Sequence, residues 1–206
     1  MLGEDTFVIA LDGMAATRSL ENLPAHILRA AGQAINKTAD RTRTASAKSI
    51  REQVAFPASY LNPGEGRLVV SSRASADNLE AVIGARTRAT SLARFVTSGS
   101  VGKMGVTVQV APGFAKYMKR AFLIRLPAGR SGEIETKSNL GLAIRLKPGE
   151  TLTGRRTAVQ KKGNLYFLYG PSVSQVFNTV REDVSPDAAD YLATEFSRLL
   201  DLDLPQ

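Results

Sequence analysis

Residues 168–177, which read "LYGPSVSQVF", mark a change from strand to helix periodicity. The residues just before the corner, 165–169, form an apolar run of strand length that ends at a glycine and a proline. Beyond the proline, apolar residues recur three or four positions apart, which predicts an amphipathic helix. Ser172 is expected to cap this helix, and Gln175, three residues later, completes a capping box. The stretch therefore predicts a structural corner in an α+β fold, built from Tyr169, Gly170, Pro171 and Ser172.

Ser172 also raises the question of catalysis, because a serine on a strand-to-helix turn is a familiar nucleophile. A nucleophile elbow has glycine two residues before and two residues after the serine. Gly170 satisfies the first position, but Ser174 occupies the second. A phosphate-binding loop would need further glycines and a following lysine, which the sequence does not supply here. We therefore interpret the corner as structural.

The rest of the sequence offers few residues for chemistry. It has no cysteine and one histidine, His26, near the start of a helical pattern. Glu133 and Glu135 alternate in a loop and are the pair that a two-carboxylate hydrolase would use, although two loop glutamates are a weak pattern. Three further acids are assigned to a helix start rather than to a metal site: Asp183, Asp187 and Asp190. We predict no catalytic, cofactor-binding or metal-binding residue, and therefore no enzyme.

Periodicity predicts one α+β domain over residues 1–206. A long helix is expected at 22–55, where Asn22 precedes a proline in the first turn. Period-two segments and glycine-containing turns predict a β-rich core at 67–169, mostly an antiparallel sheet or sandwich. Two C-terminal helices are expected at 172–202, the second beginning at Ser185-Pro186-Asp187.

Charge is unevenly distributed along the chain. The formal net charge is +8, but residues 81–180 carry 16 basic and 3 acidic side chains, whereas residues 181–206 carry 2 basic and 7 acidic ones. No apolar run is long enough to span a membrane, and the acidic start is not typical of a secretory signal. A basic region of this kind attracts nucleic acid, or equally the acidic surface of a neighbouring copy.

The cations that we select as interface or nucleic-acid candidates lie on the long helix and in the basic middle of the chain. A solvated helix face is the simpler explanation for the first two. The candidates are Arg41, Arg43, Arg86, Arg88, Arg94, Lys116, Lys119 and Arg120.

Several segments resemble the minor tail protein Z family of tailed bacteriophages and prophages. The helix segment "AINKTADRTRT" (34–44) is followed by a proline, by the "LVV" strand at 68–70 and by "AF" at 121–122. The most specific element is "YGPSV" at 169–173, before a C-terminal helix. The likeness covers roughly residues 25–200. It departs from the family pattern at 162–166, where no proline precedes the corner.

The resemblance implies a structural protein of the virion, assembled in the host cytoplasm, that completes a long tail at its head-proximal end. It implies a ring, six-fold like the tail tube, that contacts other tail and head–tail connector proteins and lets genomic DNA pass. Arginine and lysine facing the lumen would contact phosphates without reading bases. The family implies no reaction and no cofactor, and the lack of a long apolar run predicts no membrane partner.

A different class of protein is the alternative: a free nucleic-acid-binding protein that uses the basic region 81–130. Few aromatic side chains there are suited to stacking on bases, which favours salt-sensitive binding without sequence preference. They are Phe95, Phe114, Tyr117 and Phe122.

Overall fold

The structure, a computed structural model, describes residues 6–10, 24–126, 140–152 and 157–203. The chain divides into two compact units. The first, here called the helical unit, comprises Met1–Arg51, Pro57–Thr87 and Val173–Gln206, and the second, the sheet unit, comprises Glu52–Phe56 and Arg88–Ser172. Compactness does not measure whether the two units unfold together, so the prediction of one domain stays a prediction.

The helical unit combines two α-helices with a three-stranded sheet of order β1-β3-β2. Both strand pairs are antiparallel, with Val8 opposite Val82 and Val69 opposite Gly84. The elements are β1 (Thr6–Ala10), α1 (Ala25–Gln53), β2 (Leu68–Ser72), β3 (Glu80–Ala85) and α2 (Val173–Asp203).

Helix α1 begins just after Pro24, whose carbonyl accepts hydrogen bonds from the Ile27 and Leu28 amides. The expected N-cap, Asn22, lies outside the described residues. One face of the helix is rich in alanine and is buried, so neighbouring elements approach closely; the δ2 methyl of Leu79, for example, lies 4.0 Å from the Cβ position of Gly32. This long helix therefore packs within its own unit.

The C-terminal part of the predicted fold class is wrong, because one helix, α2, replaces the two that were expected. A proline inside a helix removes a hydrogen bond and crowds the carbonyl four residues earlier, at a cost of about 3 kcal/mol. Pro186 itself lies on the exposed side. Buried residues continue at helical spacing on both sides of it, and their burial offsets the cost of the proline: Val180, Val184, Ala188 and Leu192.

The sheet unit is a seven-stranded sheet of order β4-β10-β8-β7-β6-β5, with β9 paired to β10. The pairs are antiparallel and the sheet curls into a half-barrel. Its strands are β4 (Thr90–Ser91), β5 (Val96–Ser98), β6 (Met104–Ala111), β7 (Phe114–Arg125), β8 (Leu140–Arg145), β9 (Thr157–Lys162) and β10 (Leu165–Gly170).

Three of these strands, β4, β5 and β9, were not expected from the sequence. Strands β4 and β5 are only two and three residues long. Strand β9 pairs antiparallel with β10, and the turn between the two strands contains Gly163.

Among the described helices, none combines the length and the apolar character needed to cross a membrane.

Candidate interaction surfaces

Arg43, selected from the sequence as a surface candidate, is buried in the helical unit. It is 8% exposed, and its Nε donates to the Leu68 carbonyl at 3.0 Å, which ties α1 to the first residue of β2. Its Nη2 is buried and has no hydrogen-bond partner among the described residues. Burial lowers the pKa of the guanidinium, and the nearby Asp40 carboxylate acts in the opposite direction. Arg43 therefore stabilises the fold of this unit.

Arg41 and Arg86 also have local roles. The Arg41 guanidinium lies 4.5 Å from the centroid of the Tyr191 ring, a cation–π contact between α1 and α2. The backbone of Arg86 bridges two segments, since its amide donates to the Arg67 carbonyl at 2.9 Å and its carbonyl accepts from the Ser174 amide at 3.0 Å. These contacts link the two helices and the end of β3 within one unit.

Glu195 holds the two helices together at a second point. Its carboxylate accepts from Arg198 Nη2 at 2.7 Å and from Lys37 Nζ at 2.8 Å, so one buried acid joins α2 to α1. The hydrogen bond from Arg198, followed by that from Lys37, lowers the pKa of Glu195 to about 2. The carboxylate is therefore ionised across the range in which proteins are usually studied.

The outer face of α2 carries an acidic stripe, defined here as Asp183, Asp187, Asp190 and Asp201. Their spacing places them along one side of the helix, and all four are exposed. None of the four forms an ion pair with another described residue. The assignment of Asp183, Asp187 and Asp190 to a helix start is wrong, because α2 begins at Val173. Within the described part of the chain, no cluster of three potential ligands is arranged to hold a metal ion.

The sheet unit carries the remaining cationic candidates, and they differ in how far other residues engage them. Lys116, Lys119 and Arg88 are exposed, whereas Arg94 is half-buried and takes part in a local interaction. Lys116 and Lys119 lie on the same strand, β7.

Arg120, the last of these candidates, is held in place by its own unit. It donates to the two carboxylate oxygens of Glu150 at 2.5 and 2.9 Å and to the Arg145 carbonyl at 2.7 Å. The hydrogen bond from Arg120, then that from the Lys147 amide, lowers the pKa of Glu150 to about 2. The positive charge of Arg120 is therefore matched within the sheet unit.

The β6–β7 hairpin presents large apolar side chains to solvent. Phe114 is 79% exposed, Met104 74% and Tyr117 65%. Pro112 and Gly113 form its turn, and the φ of 80° at Gly113 is typical of a type II turn. On its other side, β7 pairs with β8 only through Ala121–Arg125, so residues 114–119 form an edge with no strand beside it in the described parts of the chain.

Tyr117 is ordered by a glycine on the opposite strand. A Cβ added at Gly105 would lie 2.4 Å from the Tyr117 hydroxyl, and Gly105 has a φ of 93°. Only glycine combines this backbone conformation with room for the ring. The aromatic side chain therefore lies across the hairpin in a defined position even though most of it is exposed.

The corner of residues 169–172 joins β10 to α2. Gly170 allows a close approach, since its added Cβ would lie 3.1 Å from the ring of Phe95 and 3.3 Å from Leu92. Ser172 is the residue just before the first helical residue and is 2% exposed, while Tyr169 and Pro171 are half-buried.

The hydrolase alternative rests on Glu133 and Glu135, which lie outside the described residues.

Sequence reasoning did not single out the exposed hairpin or the acidic stripe as surfaces. Alternation along β6 had indicated only that its valines share a face, and the acids had been explained by a helix start.

No protein-family model matches the chain, and neither the curated proteins nor the solved structures contain a significant match to it. The resemblance to minor tail protein Z stays a prediction.

Proposed function

We propose that this protein is a structural component of a long-tailed bacteriophage virion, a minor tail or tail completion protein. It forms a ring, six-fold like the tail tube, at the head-proximal end of the tail, where it helps to join the head and lets DNA pass. The proposal combines the family resemblance with two charged surfaces on one chain. It assigns no reaction and no cofactor to the protein.

The observation that carries the proposal is the separation of opposite charges between two compact units. The acidic stripe lies in the helical unit, and the lysines of the β6–β7 hairpin lie in the sheet unit. When two different surfaces of one chain attract each other between copies, the contact is head-to-tail. Such contacts close into a ring if the rotation between copies allows it, and otherwise form open filaments.

The candidate cations divide between this assembly and DNA passage. Arg41, Arg43 and Arg120 already have partners within their own units, so we do not assign them to DNA. Arg88 is exposed and forms no ion pair with any described residue, which leaves it available for phosphate contacts in the lumen. DNA is expected to pass with weak, salt-sensitive contacts and no base recognition.

The native mass of the purified protein, measured at low and high salt, tests the proposal, with negative-stain images of the same samples. Closed rings, or monomers that form rings when purified tails are added, are the expected result. High salt should weaken assembly, since exposed charges are screened.

A monomer that ignores added tails but binds DNA with a steep salt dependence would overturn the proposal. It would favour the free nucleic-acid-binding protein instead.

A further inference from the structure

We propose that the β6–β7 hairpin of one copy docks on the acidic stripe of α2 in the next copy. This names the subunit contact of the ring and so rests on the proposed function. It assigns a role to Phe114, Tyr117 and the two hairpin lysines that the resemblance does not supply.

The hairpin exposes large apolar side chains that nothing in the described part of its own unit covers. Phe114, Met104 and Tyr117 are each at least 65% exposed and belong to one pair of adjacent strands. Phe114 and Tyr117 lie on opposite faces of β7, so each face of the hairpin carries an exposed aromatic side chain. Aromatic residues and methionine are enriched at protein interfaces. The position of Tyr117 against Gly105 lowers the entropy that this side chain loses on binding.

The charge of the hairpin restricts what can cover it. Lys116 and Lys119 are exposed beside the apolar residues, and Lys103 is exposed just before β6. From residue 81 to residue 132 the sequence contains no carboxylate, so nothing in this segment neutralises them. A stable partner must therefore offer carboxylates together with apolar contact area.

The helical unit of a second copy offers both. The stripe of Asp183, Asp187, Asp190 and Asp201 faces outward on α2. Leu202, the residue after Asp201, is 68% exposed. Among the described residues of the helical unit, it is the only large apolar side chain with such high exposure. One lysine can pair with Asp201 while the aromatic ring on the same face of β7 packs on Leu202, the next residue of the helix. The other lysine is then directed towards the aspartates earlier in the stripe. The partner that fits both the charge and the apolar surface is another copy of this chain.

A nucleic acid is the less favoured occupant of the hairpin. Binding to a phosphate backbone depends on several cations that follow one strand, and affinity falls with each one removed. The hairpin presents only two lysines, with Lys103 just before it, against three large apolar side chains. The exposed aromatic residues and methionine are typical of a protein interface, and so few cations are a weak basis for binding a phosphate backbone.

Charge reversal on each surface tests the contact. The variants are Lys116→Glu/Lys119→Glu on the hairpin, Asp187→Lys/Asp190→Lys on the stripe, and all four changes in one chain. Each pair alone should weaken self-association about tenfold or more, measured by sedimentation in the full-length protein and by ring formation on tails. The fourfold variant should assemble again, because its two surfaces are complementary once more.

A mixing experiment tests the direction of the contact. The variant Phe114→Ser/Tyr117→Ser loses the apolar contacts of the hairpin but keeps the acidic stripe on α2. The variant Asp187→Lys/Asp190→Lys keeps the hairpin but loses the acidic stripe. One productive contact remains between these two variants. Their mixture should give one-to-one complexes that do not grow further, although each variant alone is monomeric.

The matched control is Lys48→Glu/Arg51→Glu, which makes the same change of charge at exposed positions of α1. It should assemble like the wild type, and circular dichroism should show that every variant is folded. If the wild type forms rings and the hairpin variants form them equally well, the inference fails while the proposed function stands.

Three other outcomes also overturn the inference. The fourfold variant could stay dispersed, or the hairpin changes could weaken DNA binding while self-association is unchanged, which would identify a nucleic-acid surface. A wild type that stays monomeric at every concentration, with or without tails, would overturn the proposed function and this contact together.

Discussion

The helical unit and the sheet unit use positive charge in different ways. In the helical unit, Arg43 bonds to a strand carbonyl, Arg41 lies on an aromatic ring, and Lys37 and Arg198 share one carboxylate. These contacts join α1, α2 and the small sheet. These four cations therefore hold the elements of the helical unit together.

In the sheet unit, most of the backbone is organised by strand pairing, and several cations are left at the surface. Lys116 and Lys119 form no ion pair with a described residue, while Arg120 is the exception, paired with Glu150. A count of basic residues therefore does not identify the functional ones. Cations without a structural partner are better candidates for recognising another molecule, because no existing contact has to be broken.

Arg43→Ala is the substitution with the largest expected effect and tests the structural side of this comparison. It removes the hydrogen bond to the Leu68 carbonyl and the packing of a buried side chain. We expect a loss of about 2–4 kcal/mol in the free energy of unfolding, measured with urea. The matched change Lys116→Ala in the sheet unit should lie within about 0.5 kcal/mol of the wild type. Equal losses for both variants would contradict the comparison.

Gly105→Ala tests whether the exposed hairpin has a defined structure. The new methyl group would meet the Tyr117 hydroxyl, and alanine is strained at a φ of 93°. We expect a loss of about 1–3 kcal/mol in the free energy of unfolding. Gly113→Ala is the control, since it has a similar φ of 80° but nothing within 4 Å of the added Cβ, and it should cost less.

A second background separates strain from contact at this position. In a Tyr117→Ala chain, Gly105→Ala should cost about as much as Gly113→Ala, because the clash is gone. If the cost does not change between backgrounds, Tyr117 does not lie across Gly105.

Much of the secondary structure follows from the sequence, because its signals are local. The alanine stripe predicts a helix at 22–55 and α1 is Ala25–Gln53, and the apolar run at 165–169 becomes β10. The error at Pro186 has a physical reason. Proline is favourable at a helix start and costly inside one, but tertiary burial on both sides of it decides the outcome, and a local pattern does not contain that information.

The candidate surfaces were less predictable than the fold. Arg43 and Lys116 are both basic residues in segments of regular structure, yet one is buried against β2 and the other faces solvent. Burial depends on which strand lies beside the residue. The exposure of Phe114 likewise depends on where pairing between β7 and β8 stops, at Ala121. The periodicity of the sequence predicts neither the burial of Arg43 nor the exposure of Phe114.

Pro186→Ala tests whether α2 is one helix held by its continuous buried stripe. Alanine restores the missing amide donor and removes the crowding of the ring. We expect the free energy of unfolding to rise by about 1–2 kcal/mol. A proline at the start of a separate helix would give no gain or a small loss. Pro112→Ala, in the hairpin turn where proline suits the backbone, is the control and should be neutral or slightly destabilising.

Glu195→Gln has the smallest expected effect at neutral pH, and its signature is the dependence of stability on pH. The bonds from Arg198 and Lys37 lower the pKa of Glu195 in the folded protein to about 2, below its unfolded value of 4.5. The ionised form therefore stabilises the fold fully above about pH 5, and this contribution is lost as the pH falls from about 4.5 towards 2. Glutamine does not titrate, so the variant should be less stable than the wild type at pH 7 and approach it in acid.

Urea unfolding of both proteins at several pH values measures this convergence. Arg198→Gln should reduce the acid-dependent loss more than Lys37→Gln, because the hydrogen bond from Arg198 is the larger cause of the lowered pKa. Parallel curves for the wild type and Glu195→Gln between pH 5 and 2 would show that this carboxylate does not join the helices. The contrast between structural charges in the helical unit and free charges in the sheet unit would then rest on Arg43 and Arg41.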